Sequence, residues 1–171
     1  MKNNINREYD MIIKDILEND DFKVMGEIEH HNTTRLDHMM KVSYYSYLVA
    51  RTLHLNYREV ARGGLLHDFY LGRTVDYDKV KDKVKLYTHN HPKEAVENAK
   101  KHFNINSIEE DIIRSHMFPI DIKIPKYAES WVVSTVDKVV GTYEFYKKAS
   151  TKVKYGLNFG FLLLINCLTI K

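Results

Sequence analysis

Val60-Ala61-Arg62-Gly63-Gly64-Leu65-Leu66-His67-Asp68 is a small-residue, apolar run that ends on two adjacent ionisable side chains. Val60, Ala61, Gly64, Leu65 and Asp68 recur at helical spacing, which predicts a helix over 57–70. Two glycines inside a helix cost about 1 kcal/mol each relative to alanine, so Gly63 and Gly64 predict close approach of a neighbouring helix. His67 and Asp68 at the end of an apolar run need a partner, because burying a charge unpaired is expensive. A metal ion would serve, since neutral imidazole and carboxylate are both good ligands and the cation offsets the carboxylate charge. A His-Asp dipeptide alone is common; the rest of the chain has to supply the other ligands.

Composition sets the frame. At 171 residues the chain is long enough for one domain with a sizeable core, and a single domain over 1–171 is expected. Hydrophobic residues make up 44% and charged residues 29%, as in an ordinary globular protein, and seven Gly with three Pro are too few for an all-β fold. The charge, 26 − 23 = +3 with no dense basic run, argues against a nucleic-acid partner and allows only a mild attraction for anionic substrates. A lone Cys167 rules out an internal disulfide and fits a reducing cytoplasm. The first residues have no apolar core of the signal-peptide kind. The apolar stretch 159–170 is broken by Asn166 and falls well short of the ~20 residues a membrane span needs. No membrane partner is expected; the stretch reads as a buried terminal element or a contact in a homo-oligomer.

Periodicity predicts helices along most of the chain. The first, over 7–19, carries Tyr9, Ile12, Ile13, Ile16 and Leu17, with a short helix around 22–29 after it. Thr34 with Asp37 reads as a capping box opening a long helix to about His54, its stripe being His38, Val42, Tyr45, Val49 and Thr52. After the 57–70 helix, residues 71–91 read as a long loop at the mouth of a site. Pro92 marks a helix start, carrying Ala95, Val96, Ala99 and Phe103. Asn106-Ser107 with Glu110 opens the next, where Ile108, Ile112, Ile113 and His116 share a face; a last helix over 126–148 carries Trp131, Val132, Val133, Val136, Val139, Val140 and Tyr143. The expected fold class is all-α, a compact bundle of about six to eight helices.

His38, His67, Asp68, His116 and Asp137 interrupt the apolar faces, and His91 stands at the expected start of the Pro92 helix. Any one of these read singly is more often a hydrogen-bonded core or boundary residue than a ligand. Interruptions spread over five helices that share one core converge near its centre. Four imidazoles and two carboxylates make a transition-metal shell, richer than one tetrahedral zinc site uses.

The ordered set His38, His67-Asp68 and Asp137 resembles the HD-domain superfamily of metal-dependent phosphohydrolases. The flanking text carries the likeness further, in Thr34-Arg35-Leu36-Asp37-His38, Ala61-Arg62-Gly63-Gly64-Leu65-Leu66-His67-Asp68 and Val136-Asp137-Lys138. His89-Asn90-His91-Pro92 and Ile112-Ile113-Arg114-Ser115-His116-Met117 are similar to segments of small bacterial single-domain HD hydrolases, and the resemblance spans about residues 30–145. It implies that His38, His67, Asp68 and Asp137 hold a first metal, that His91 and His116 add a second, and that Asp68 bridges the two. Fe, Mn or Zn would suit such a pair, with Mg, Co and Ni as further candidates.

Two ions would lower the pKa of a water and bind phosphoryl oxygen as Lewis acids. The expected activity is therefore hydrolysis of a phosphomonoester or phosphodiester of a small molecule, a nucleotide among them, with Asp68 and Arg35 as the catalytic residues. Arg35 lies one helical turn before His38 and is the candidate phosphate clamp, since guanidinium matches phosphate in a bidentate way. His89 and Lys138 are further substrate-side candidates; Lys138 reads equally as a partner of a site carboxylate or as a solvent-facing residue. Some relatives place a proton donor shortly after the motif. Here Phe69-Tyr70-Leu71-Gly72 follows, leaving Asp76 or Asp78 in the loop to supply a proton. A di-iron oxygenase of the same superfamily and a non-catalytic metal-containing nucleotide-binding module are the alternatives.

Overall fold

The computed structural model describes the backbone of residues 2–26, 29–30, 33–70 and 83–169, and the side chains of 5–25, 34–70, 90–147 and 149–150. Helix α1 (Lys2–Leu17) leads into a short α2 (Asp20–Lys23) and a 3-10 turn (Val24–Gly26). Strands β1 (Glu29–His30) and β2 (Thr33–Thr34) form a minimal antiparallel pair, Glu29 opposite Thr34 and His30 opposite Thr33. Then follow α3 (Arg35–Thr52), α4 (Tyr57–Leu66), α5 (Lys83–His102), α6 (Ser107–Ser115) and α7 (Ala128–Thr169). The fold is all-α, with the pair of two-residue strands the exception among the described residues. Among the described residues, no helix is long and apolar enough to cross a membrane.

Helix α4 is the centre of the packing, in contact with α1, α3, α6 and α7, while α5 packs on α6. Its glycines explain why. A Cβ on Gly64 would stand 3.1 Å from the Ser43 Cα of α3, and one on Gly63 would come within 2.9 Å of the Ile112 side chain of α6. The glycine pair thus lets α3 and α6 close on α4 from two sides. Tyr9, Ile13, Ile16, Phe22, Met39, Leu65, Leu66, Ala95, Ala99 and Ile113 form one apolar core. Val42, Ala50, Val60, Ile112, Val133 and Val140 form a second. Adjacent Ile112 and Ile113 divide between the two, just before His116.

Several expectations need correction. The first helix begins at Lys2, ahead of the expected 7–19 span, and the short helical segment runs from Asp20 to Gly26 in place of 22–29. Thr34 and Asp37 do form the predicted capping box, but of the predicted stripe α3 buries only His38 and Val42, while Tyr45, Val49 and Thr52 are exposed. The buried face runs His38, Met39, Val42, Ser43, Ser46, Tyr47 and Ala50, following the true helical period and turning small residues toward Gly64. The α3 end comes at Thr52, with His54 in the left-handed region at φ 56°.

The α4 helix stops at Leu66 rather than 70, because the His67 side chain takes the Gly64 carbonyl. The α5 helix begins nine residues before Pro92, which lies inside it. Proline removes one intrahelical hydrogen bond there, a local cost that the rest of a 20-residue helix outweighs. In α6 the cap is Asn106 with Glu109, one residue earlier than the Ser107–Glu110 pairing. The last helix runs to Thr169, so 159–169 is helical; its side-chain surroundings lie outside the described residues. Of the expected loop, 71–82 lies outside the described residues and 83–91 is helix.

Gly64→Ala and Gly141→Ala should shift stability in opposite directions. The first drives a methyl against backbone, for a net loss of about 1–2 kcal/mol after the helix-propensity gain. The second adds a methyl with nothing within 4 Å and should gain up to about 1 kcal/mol. Urea unfolding midpoints measure both; equal shifts would contradict the close approach.

Candidate metal centre

Each candidate ligand is placed by a different element. His38 lies one turn into α3, His67 caps the C-terminus of α4 with Asp68 next to it, and His116 caps the C-terminus of α6. His91 sits inside α5, a correction to its expected helix-start position, and Asp137 is in the third turn of α7. Two helix C-termini therefore point into one spot, where the carbonyl ends of their dipoles favour a cation.

The structure brings all six residues together. Asp68 Oδ1 is 3.5 Å from both His91 Nε2 and His116 Nε2. His67 Nε2 is 3.8 Å from Asp68 Oδ2 and from Asp137 Oδ1, and His38 Nε2 is 3.1 Å from Asp137 Oδ1. Among the described residues, two buried groups have donor atoms mutually within 4.8 Å, one made by His38, His67 and Asp68 and the other by Asp68, His91 and His116. Asp68 belongs to both.

Hydrogen bonds on the far side of the rings fix which nitrogen faces inward. His67 Nδ1–H donates to the Gly64 carbonyl at 2.7 Å and His116 Nδ1–H to the Ile113 carbonyl at 2.8 Å. A carbonyl only accepts, so each Nδ1 carries a proton and each Nε2 offers a lone pair to the centre. His38 Nδ1 instead meets a carboxylate, Glu144 Oε2, at 2.9 Å. The motifs do not flag Glu144. The available signal was its position seven residues after Asp137, two turns along the same face of α7.

These donors fit a metal. His67 Nε2 and Asp68 Oδ1 are fully buried with no hydrogen-bond partner. The His67 lone pair thus faces two carboxylates, acceptor against acceptor, an arrangement that a metal ion or a proton on Nε2 satisfies. His91 and His116 bring their Nε2 atoms to 3.0 Å, with the His116 nitrogen proton-free, so a proton or a cation belongs between them. Donors bound to one ion at about 2.0–2.2 Å stand roughly 3–3.6 Å apart, and the spacings around Asp68 Oδ1 fall in that range.

Electrostatics agree. Burial pulls the His67 imidazole down to about 4, so it is neutral and ligand-ready. Burial works the same way on His38, yet the Asp137 hydrogen bond, the charges of Asp68 and Asp137, and Glu144 carry it up to about 9. Burial would raise the Asp68 and Asp137 carboxyls. The surrounding imidazoles, His67 and His116 at both carboxyls, His91 at Asp68 and His38 at Asp137, reverse this and keep both ionised.

The substrate-side candidates are placed less uniformly. Arg35 is buried, its guanidinium 4.0 Å over the Tyr70 ring and Nη1 donating to the Tyr70 carbonyl, while Nε has no partner. The Tyr70 ring in turn lies 5.1 Å from that of His91. Lys138 Nζ donates to the His116 carbonyl and stands 3.4 Å from Asp137 Oδ2, and burial lowers its pKa. His89 lies on α5, but its side chain is outside the described residues, as are Asp76 and Asp78. His102 pairs with Asp21 at 3.3 Å, away from the cluster. A cavity of about 740 Å³ is lined by Arg62, Asp15 and Glu109, already paired with one another, and contains none of the candidate ligands.

A family model described as HD domain matches residues 35–151. No curated protein and no solved structure matches the chain.

Proton release on metal uptake checks this geometry. The His38 pKa is raised from 6.5 to about 9 in the metal-free fold, so its stabilising proton is fully held below 6.5 and lost as pH rises through 9. An ion held by His38 would displace that proton. Calorimetry in buffers of different ionisation enthalpy should report about one proton released per chain near neutral pH, vanishing as pH passes about 9; release independent of pH would contradict it.

Proposed function

The chain belongs to the HD-domain family, and from that premise we propose that it is a metal-dependent phosphohydrolase, cleaving a phosphomonoester or phosphodiester of a small molecule, with nucleotides the first class to test. The observation that carries this reading is Asp68 as the shared member of two buried ligand groups. His38, His67, Asp68 and Asp137 would hold one divalent transition-metal ion, and Asp68, His91 and His116 a second. Bound ions would supply an acidified water and Lewis-acid neutralisation of the phosphoryl charge.

The residues supply the rest. Asp68 holds the two ligand groups in register, so that a phosphoryl oxygen and a water meet at a fixed spacing. Arg35 is oriented by the Tyr70 ring and carbonyl on one edge, and its unpartnered Nε leaves donor capacity for a phosphate oxygen. Lys138 braces the His116 carbonyl and places positive charge beside Asp137, and His89 is the remaining substrate-side candidate. Water attacks phosphorus, the ester P–O bond breaks, and the alcohol leaves with a proton. The products are a phosphate, or a phosphomonoester from a diester, and the free alcohol.

Protein purified without chelator should carry more than one metal equivalent per chain and hydrolyse members of a phosphoester panel with added Mn, Fe, Co or Mg. Metal-loaded protein that turns over no phosphoester sinks the hydrolase reading and leaves a binding module. Asp68→Ala should lose both ions, whereas His116→Ala should lose mainly one. Equal loss in the two variants would remove the bridging role.

A further inference from the structure

We propose that Asn98 is a positioning residue: by holding the Phe69 carbonyl it fixes α5 against the turn that carries Asp68, and so sets where His91 stands in the second ligand group. The inference rests on the two-ion reading above and concerns a residue outside the ligand set.

Asp68 is followed at once by Phe69 and Tyr70, and this turn is tied to three helices. On the α4 side, His67 Nδ1–H donates to the Gly64 carbonyl. On the α3 side, Arg35 Nη1 donates to the Tyr70 carbonyl. On the α5 side, the Asn98 amide, through Nδ2, donates to the Phe69 carbonyl at 3.0 Å. The rings of the turn lie on α5 as well. Phe69 is 5.8 Å from the His102 ring and 6.1 Å from the Phe103 ring at the helix end, and Tyr70 is 5.1 Å from the His91 ring. His91 and Asn98 are seven residues apart in α5, so they share one face two turns apart. Apolar ring contact is non-directional and allows a helix to slide. A hydrogen bond has a preferred length and angle, so the Asn98 amide sets the register of α5 along the turn.

The consequence falls on one ligand group. Of the six candidate ligands α5 carries His91, whose Nε2 stands 3.5 Å from Asp68 Oδ1 and 3.0 Å from His116 Nε2. Such a constellation works when its members are held within about 0.5 Å, whereas a packed helix can shift by about 1–2 Å on its neighbours. Releasing the Phe69 carbonyl frees α5 to move His91 relative to Asp68. It leaves the turn itself held by Gly64 and Arg35, and His38, His67 and Asp137 on α3, α4 and α7.

The test is metal affinity, read apart from turnover. Mn²⁺ is titrated into the metal-free protein, and bound ion is counted by equilibrium dialysis with elemental analysis. Wild type should show two steps. Asn98 is half-buried on a helix, so Asn98→Ala removes the donor while raising helix propensity. It should weaken one step by about 10–100-fold, the step that His116→Ala loses, and leave the other unchanged. Asn98→Asp keeps the size of the side chain and also loses the donor; it should weaken the same step, and it decides the matter if Asn98→Ala fails to fold. Asp21→Asn loosens α5 elsewhere, at the pair that Asp21 makes with His102, and should leave both steps at their wild-type values. Two wild-type affinities in either Asn98 variant, equal weakening of both steps, or the same weakening in Asp21→Asn would each overturn the inference. So would a lowered melting temperature with neither affinity moved, the mark of an Asn98 that merely ties α5 down. Wild type that binds no metal, or a single ion, would instead overturn the two-ion reading itself.

Discussion

A buried carboxylate oxygen that accepts no close hydrogen bond among the described residues, Asp68 Oδ1, is the constraint around which the molecule is arranged. It is buried, ionised and faced by the Nε2 atoms of two histidines at 3.5 Å. Leaving such a charge unpaired in a folded core costs several kcal/mol, a large fraction of the stability of an ordinary domain. Helices rarely gather polar atoms this way for packing alone. The tautomers add to the argument, because the protons of His67 and His116 are held on the outside of the cluster and their lone pairs are turned inward.

The scaffold serves that arrangement. Gly63 and Gly64 let α3 and α6 close on α4, which brings His38 and His116 to the end of α4 where His67 and Asp68 sit. Early termination of α4 and α6 matters as much as their formation. Each histidine at a C-cap folds Nδ1 back onto the carbonyl three residues earlier, using a helix end both as brace and as a source of negative potential. The longest helix, α7, brings Asp137 to the cluster and Glu144 behind His38.

Much of this was legible in the chain, and the reasons differ by element. The candidate ligands could be read because polar residues on apolar helical faces are conspicuous, and their order carried the family resemblance. The Thr34–Asp37 capping box could be read because it is local, needing no knowledge of tertiary contacts. The buried face of α3 was legible at His38 and Val42 and misread beyond them, because large apolar residues were favoured for the inside, whereas the structure puts Ser43, Ser46 and Ala50 there and leaves Tyr45 and Val49 outside. Pro92 misled in a similar way, since a local preference for helix starts yielded to a helix that runs through it. Glu144 and Lys41 escaped notice because charged residues on helices are ordinarily solvated; only the fold places a carboxylate behind His38.

The central claim is that Asp68 joins two ions. Anomalous diffraction from crystals of Mn²⁺-loaded protein tests it most directly. The account predicts two peaks, one on each side of the Asp68 carboxylate, the first enclosed by His38, His67 and Asp137 and the second by His91 and His116. A single peak, or two peaks of which one has no contact with Asp68, would contradict it.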